Sequence, residues 1–313
     1  MPLFLLLLSG CALLDALTAP EVVNPYQGSE RLTLDLRCAG DARAVLEERL
    51  DLLDLSHDIG PGTGGGLQVV VQSAAQPAAL ARLLTATPDL AFLPVAEDQT
   101  LVLPRHDRVE EAALDAVPGL RPDVAFDPDA IHALLEGGGA PLPPVEGVRL
   151  GEYGEQQVFA APAGADWSAW LGSLPLLPGA VTALECYPEG EARLCSPVLL
   201  EGPATVTAAD IVDATLKVDP QFGRPYLSVT FGPAGAEAFG ALTARLVDRE
   251  LGIVSEGQLL SRPRVMETID GGKASITMGL DTDGETLRQL WRIYTAVATG
   301  PLPGGCSVAE GPP

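Results

Sequence analysis

The stretch that decides the fold runs from Val206 to Gly279: VTAADIVDATLKVDPQFGRPYLSVTFGPAGAEAFGALTARLVDRELGIVSEGQLLSRPRVMETIDGGKASITMG. ATLKV (214–218) and YLSVTF (226–231) read as strands, short runs in which apolar and polar side chains alternate. From Pro233 to Val247 the period changes. Ala236, Phe239, Leu242 and Leu246 recur at helical spacing, which predicts an amphipathic helix. LGIVS (251–255) and QLLS (258–261) flank Glu256-Gly257, the pattern of a tight hairpin. RVMETI (264–269) and KASITM (273–278), separated by Gly271-Gly272, read as two further strands. Thr282-Asp-Gly-Glu285 is a capping box that opens a last helix through about Thr299, and Pro301 stops it. Strands and helices mixed in this order predict an α+β fold.

Toward the amino terminus the pattern is simpler. Leu32, Leu34 and Leu36 alternate with polar residues as a half-buried strand. Asp41 is placed to cap a helix running to about Leu55, with Val45, Leu46, Leu50 and Leu53 on one face. The loop GPGTGGG (60–66) precedes LQVVVQ, a buried strand. Pro77 then opens a second helix through AALARLLTA, and LAFLPV (90–95) is a third strand. The expected order is βαβαβ, a layer of helices on one sheet. Between Glu97 and about Gly179 one helix is expected from Asp127-Pro128 to Glu136, and Trp167 and Trp170, one turn apart, are assigned to a core.

Composition narrows the function. Forty-two acidic against 19 basic side chains give a formal charge of −23 in 313 residues. That excludes a nucleic-acid binder, which sets clustered Lys and Arg against phosphates, and a basic patch on anionic lipid. Three His leave few groups for acid–base work near neutral pH. His57, His106 and His132 lie in separate segments without metal-ligand spacing, so no metal is expected. GGKAS (271–275) lacks the earlier Gly and the following hydroxyl of a phosphate loop, since Glu267 and Ala274 stand there. Asp281 to Gly284 begin like a calcium loop, but Glu285 and Arg292 occupy ligand positions. No catalytic residue and no cofactor are expected.

The amino terminus reads as an address. Leu3 to Leu8 is too short to span a membrane and ends in Leu8-Ser9-Gly10-Cys11. This resembles a bacterial lipoprotein lipobox, which implies acylation of Cys11; Ala12, where Asp would mean inner-membrane retention, implies an outer-membrane anchor facing the periplasm. No Lys or Arg precedes Arg31, a departure from the basic start of such signals. The other reading is a signal cut elsewhere, with Cys11 an incidental thiol. With Cys11 set aside, Cys38, Cys186, Cys195 and Cys306 remain, an even number suited to an oxidising compartment. Four cysteines allow three pairings. Pairing of Cys186 with Cys195 across the Pro/Gly turn YPEGEARL is geometrically natural and would leave Cys38 with Cys306; four buried free thiols are the alternative.

Taken in order, the carboxy-terminal motifs resemble the head subdomain of the first periplasmic domain of SecD and SecDF. The matching positions are Asp210-Ile211 with Asp213-Ala214, Val229 and Phe231, Gly235-Ala236, Phe239 and Leu242-Thr243. They continue with Ile253-Val254, Gly257, Ser261, Pro263, Ile269, Gly271-Gly272, Ile276, Gly279, Gly300 and Pro301-Leu302-Pro303. Residues 44–72 are similar to that family's base subdomain, with Asp54 where a glycine is usual and Ser73 where Pro-Gly would begin.

The resemblance implies a ferredoxin-like base plus an α+β head, with a mixed sheet and a helix packed on one face. The chain would leave the base, build the head and return, a path that a Cys38–Cys306 bridge fits. The expected division is signal and lipobox 1–11, tether 12–30, base 31–97, irregular insertion 98–180, head with return to base 181–303 and tail 304–313. In the family, transmembrane helices follow this domain and couple proton flow to export; with the chain ending at Pro313, a module without that motor is expected. The implied role is binding of exported polypeptide or of Sec and envelope proteins. Glu256, Gly257, Gln258, Arg262 and Pro263 around the hairpin are the expected contact residues, by strand addition. The alternative is a structural or small-ligand-binding envelope lipoprotein that reuses the fold.

Overall fold

The computed structural model describes residues 21–97, 149–153, 156–162, 171, 179–189, 192–278 and 284–308. In chain order the elements are β1 (Arg31–Cys38), α1 (Arg43–Leu52), β2 (His57–Pro61), β3 (Leu67–Gln72), α2 (Pro77–Leu84) and β4 (Ala91–Pro94). There follow β5 (Arg149–Tyr153), β6 (Gln156–Pro162), β7 (Ala180–Glu189), β8 (Ala192–Glu201), β9 (Val206–Thr207), β10 (Ile211–Val218) and β11 (Pro225–Phe231). Last come α3 (Pro233–Arg245), β12 (Leu251–Ser255), β13 (Gln258–Ser261), β14 (Lys273–Thr277), α4 (Gly284–Thr299) and β15 (Cys306–Val308). They form two compact units. The first holds the chain up to Pro88, Ile211–Gly232 and the chain from Lys273; the second holds Asp89–Asp210 and Pro233–Gly272.

The first unit is built on an antiparallel sheet in the order β15-β1-β3-β2. With α1 after β1 and α2 after β3, this is the ferredoxin-like arrangement, closed by a strand from the far end of the chain. Leu34 and Leu36 of β1, Ile59 of β2 and Val69 and Val71 of β3 share one buried core with Leu46 and Leu50 of α1 and Leu80, Leu83 and Leu84 of α2. Each such side chain contributes on the order of 2 kcal/mol by leaving water. Two expectations are corrected. His57–Pro61 forms β2 rather than the approach to a glycine loop, because its partner Val69–Val71 offers an open antiparallel ladder. LAFLPV does form a strand, β4, but in the second unit, where it pairs with β12 and β9.

The departures at Asp54 and Ser73 have physical explanations. Helix α1 ends with Leu55 N–H donating to Leu50 O at 3.1 Å and Asp54 N–H to Asp51 O at 2.9 Å, the double bond of a Schellman cap. That cap needs a left-handed residue, and Asp54 takes it at φ 50°; Asp tolerates this better than most side chains. The buried Ser73 hydroxyl donates to Tyr26 O at 2.6 Å and accepts from Ala75 N–H at 3.1 Å, which holds its turn without Pro-Gly.

A second sheet, β10-β11-β14, completes this unit, and α4 contacts β10, β11, α1 and α2. Trp291 and Tyr294 of α4 pack edge to face with centroids 5.7 Å apart, and Trp291 Nε1–H donates to Val23 O at 2.9 Å. Arg49 is fully buried. Its guanidinium donates to Leu84 O at 2.6 Å, Gly300 O at 2.8 Å and Thr299 Oγ1 at 3.0 Å. One cation thus caps the carbonyl ends of α2 and α4, where helix dipoles are negative. Burial lowers its pKa to about 10, with the Glu48 carboxylate acting in the opposite sense. On the sheet's edge Cys38 lies opposite Cys306 and is bonded to it, a bridge spanning 268 residues. Closing a loop of that length removes unfolded-state entropy worth about 6 kcal/mol in the chain-entropy picture.

The second unit has an eight-stranded sheet in the order β5-β6-β8-β7-β13-β12-β4-β9, antiparallel except where β13 meets β7. The stretch expected to be irregular therefore contributes a hairpin, β5–β6, to a regular sheet. Cys186 faces Cys195 across β7 and β8 and is bonded to it. Helix α3 buries Phe239, Leu242 and Leu246, and Phe239 meets Phe92 of β4 edge to face at 5.4 Å. RVMETI is not a strand. Only isolated bridges at Arg264 and Val265 form, because Pro263 cannot donate to a ladder. Cys11, the helix at 127–136, Trp167, Trp170, His106, His132 and residues 281–283 lie outside the described residues.

Replacing Arg49 with Met leaves the buried Leu84 O, and the half-buried Gly300 O and Thr299 Oγ1, without this donor. We expect the urea midpoint of the disulfide-intact protein to fall by the equivalent of about 3 kcal/mol or more, with Lys recovering little because one ammonium cannot fork to three oxygens.

Candidate functional site

The hairpin expected to meet a partner forms with the turn Glu256-Gly257 in left-handed conformation at φ 49° and 73°. Glu256 N–H donates to the Asp89 carboxylate at 2.8 Å, which anchors the turn despite a non-glycine residue there. The strands on either side are not edges. β12 is paired with β4, and β13 with β7, while Gly257 O accepts from Leu184 N–H at 2.9 Å. Strand addition at the hairpin is therefore blocked by the sheet itself. Glu256 and Pro263 are exposed, and Gly257, Gln258 and Arg262 are half-buried.

Arg262 is engaged internally. Its guanidinium binds Glu185 through Nε at 3.1 Å and Nη2 at 3.1 Å, and approaches Glu250 at 3.7 Å. Arg249 bridges Glu97 at 2.9 Å and Glu201. Acidic side chains thus hold these two arginines in ion pairs within the second unit.

The matched motif residues turn out to bind one another. Gly235, buried at the start of α3, lies so close to Asp210 that an added Cβ would sit 2.6 Å from the Asp210 Cβ and 3.0 Å from its carbonyl oxygen. The Asp210 carboxylate in turn accepts from Thr207 N–H at 2.8 Å. Thr243 Oγ1 donates to Phe239 O at 2.9 Å and accepts from Ile269 N–H at 3.0 Å. Gly252 gives close passage to Leu200 and to the Leu93 carbonyl. Ile276 pairs with Leu227, and both are buried. The pattern legible in the sequence is a packing code for the fold.

The remaining sequence features are structural where they are described. The loop at 60–66 closes with Gly62 N–H on Gly66 O at 2.8 Å, using left-handed Gly64 and Gly65. His57 Nδ1 lies 2.8 Å from Leu55 O. Among the described residues no group of three or more His, Cys, Asp or Glu could hold a metal ion.

One surface escaped the sequence reading. The chain has two lysines, Lys217 and Lys273, and both are exposed on the β10-β11-β14 sheet. Cross-strand register puts Lys217, Tyr226 and Thr277 in one row and Asp213, Thr230 and Lys273 in another, on one polar face that includes Thr215, Ser228 and Ser275. At the end of the β10–β11 hairpin the Asp219 carboxylate accepts from Gln221 N–H at 2.7 Å and Phe222 N–H at 3.1 Å. This turn presents Phe222 to solvent, with Arg224 stacked 5.8 Å above its ring. A large aromatic in a Pro/Gly turn, DPQFGR, was the available signal.

Gly235 offers a test in which two effects oppose each other. Helix propensity alone makes Gly to Ala favourable by about 1 kcal/mol. The 2.6 Å contact reverses the sign. We expect Gly235→Ala to destabilise by about 1–3 kcal/mol in urea unfolding.

Residues 185–288 match the family model described as SecDF, P1 head subdomain. The protein translocase subunit SecDF of Thermus thermophilus is 37% identical over 109 residues, covering 35% of this chain and 14% of that protein. The protein translocase subunit SecD of Acidaminococcus fermentans is 38% identical over 112 residues, covering 36% of this chain and 25% of the relative. The chain thus spans a quarter or less of the length of these relatives. A crystal structure of SecDF in a super-membrane-facing form aligns at 21% identity, over 92% of this chain and 30% of that one, with a TM-score of 0.46. Among the described residues no helix is long and apolar enough to cross a membrane. The motif residues that bind Asp210 to Gly235 and Thr243 to Ile269 fall inside residues 185–288, the segment similar to the SecDF P1 head subdomain.

Proposed function

We propose that this protein acts as a non-catalytic module of the cell envelope that binds exported polypeptide, or Sec and envelope proteins. The observation that carries the reading is the head-subdomain match at residues 185–288, shared with translocase subunits SecD and SecDF. The two disulfides support a site outside the cytoplasm, since such bonds persist in oxidising compartments. Acylation at Cys11 holds the module at the outer membrane, facing the periplasm. The charge of −23 keeps it soluble and steers basic partners to it.

Structural contacts take up the charged groups of the hairpin region, so recognition there relies on the exposed Glu256 and Pro263 and on the rim around Gly257. A photo-crosslinking residue at the exposed Glu256, introduced in cells, is expected to trap exported polypeptide or a Sec component. Adducts with neither, from a protein that still fractionates with membranes and is released by Cys11→Ser, would overturn the binding role.

A further inference from the structure

The described strand edges are not equivalent. β9 and β15 have two and three residues. β5 and β14 have five each. On β2 the Arg43 guanidinium already takes the Ile59 carbonyl at 2.6 Å. β10, with eight residues, pairs with β11 on one side and with no strand on the other. A row of unpaired N–H and C=O groups of that length is satisfied along its whole run by another extended backbone.

The register of β10 also defines what that backbone carries. Asp213, Thr215 and Lys217 stand on the polar face. Ala214, Leu216 and Val218 stand on the other face, where α4 packs, and all three are only half-buried. A strand laid beside them covers their exposed sides only if its own side chains alternate, apolar toward α4 and polar toward Thr215 and Lys217. Val212 at the start of β10 is 70% exposed, and Phe222, in the turn beyond its end, is 64% exposed. Single exposed apolar residues are ordinary. These two bracket the longest open ladder in the described fold. Lys217 adds a charge preference, one of two lysines in a chain of net charge −23.

We propose that the β10 edge takes up an extended polypeptide segment by strand addition, selecting segments whose apolar and polar residues alternate and that place an acidic residue beside Lys217. This deepens the binding role above and rests on it only for the source of the polypeptide. The bulge between Ile211 and Asp213 ends the acceptor at its amino-terminal side and blunts pairing beyond it.

The test uses the full chain and a nine-residue peptide alternating valine with threonine, with glutamate at one central threonine position. Its controls are a peptide of the same composition with the valines grouped and one with lysine in place of the glutamate. The alternating peptide is expected to bind with amide shifts confined to Ile211–Val218 and the Phe222 turn. The grouped peptide should bind about tenfold more weakly or worse, and Lys217→Glu should reverse the preference between the glutamate and lysine peptides. Lys217 is exposed, so this variant is expected to fold as the wild type does. Equal binding of alternating and grouped peptides, an unchanged preference in Lys217→Glu, shifts located elsewhere, or a dimer of the chain that excludes the peptide would each overturn the assignment. Peptide binding at β10 without crosslinks in cells separates the two readings: it sustains the edge and removes the exported source.

Discussion

The buried guanidinium of Arg49 is the interaction on which the first unit depends. Leu84 lies at the end of α2, shortly before the chain leaves this unit at Pro88; Thr299 and Gly300 lie at the end of α4, on its final stay there. Arg49 grips both ends through hydrogen bonds to three oxygens. A cation without a carboxylate partner is costly to bury, and here the carbonyl ends of two helices supply the compensation. The Cys38–Cys306 bridge does covalently at the sheet edge what Arg49 does electrostatically beneath it. An excursion as long as the second unit is tolerable because loop-closure entropy grows only slowly with length, provided its two ends are pinned.

With the ends pinned, the division of labour among residues becomes clear. The residues that carry the resemblance to SecD and SecDF face inward where they are described: Gly235 lies on Asp210, Thr243 on Ile269, and Phe239 on Phe92 of β4. These contacts fix how α3 and the loop around Ile269 are held in the second unit.

Periodicity made much of this legible. The α3 face of Phe239, Leu242 and Leu246, the Glu256-Gly257 turn and the strands β10, β11 and β14 follow from local pattern, because each element's own sequence decides which side is buried. What depends on which strands meet was not legible. LAFLPV has the composition of a strand, yet nothing local says that it joins β12 rather than β1. His57–Pro61 contains Gly60 and Pro61, poor strand formers, and is a strand because β3 presents a partner. The hairpin at Glu256 was expected at an edge and lies inside a sheet, since β7 reaches it from 70 residues away in the chain. An arginine between Glu48 and Leu50 on a helix gives no local sign that it will be buried, as Arg49 is.

Everything above requires that the carboxy-terminal strand return to the first strand of the base. Mass-spectrometric mapping of peptides from the unreduced protein tests this directly. Cys38 should be recovered joined to Cys306, and Cys186 joined to Cys195. Recovery of Cys38 as a free thiol, or bonded to Cys186 or Cys195, would mean that the base sheet is not closed by the chain's return.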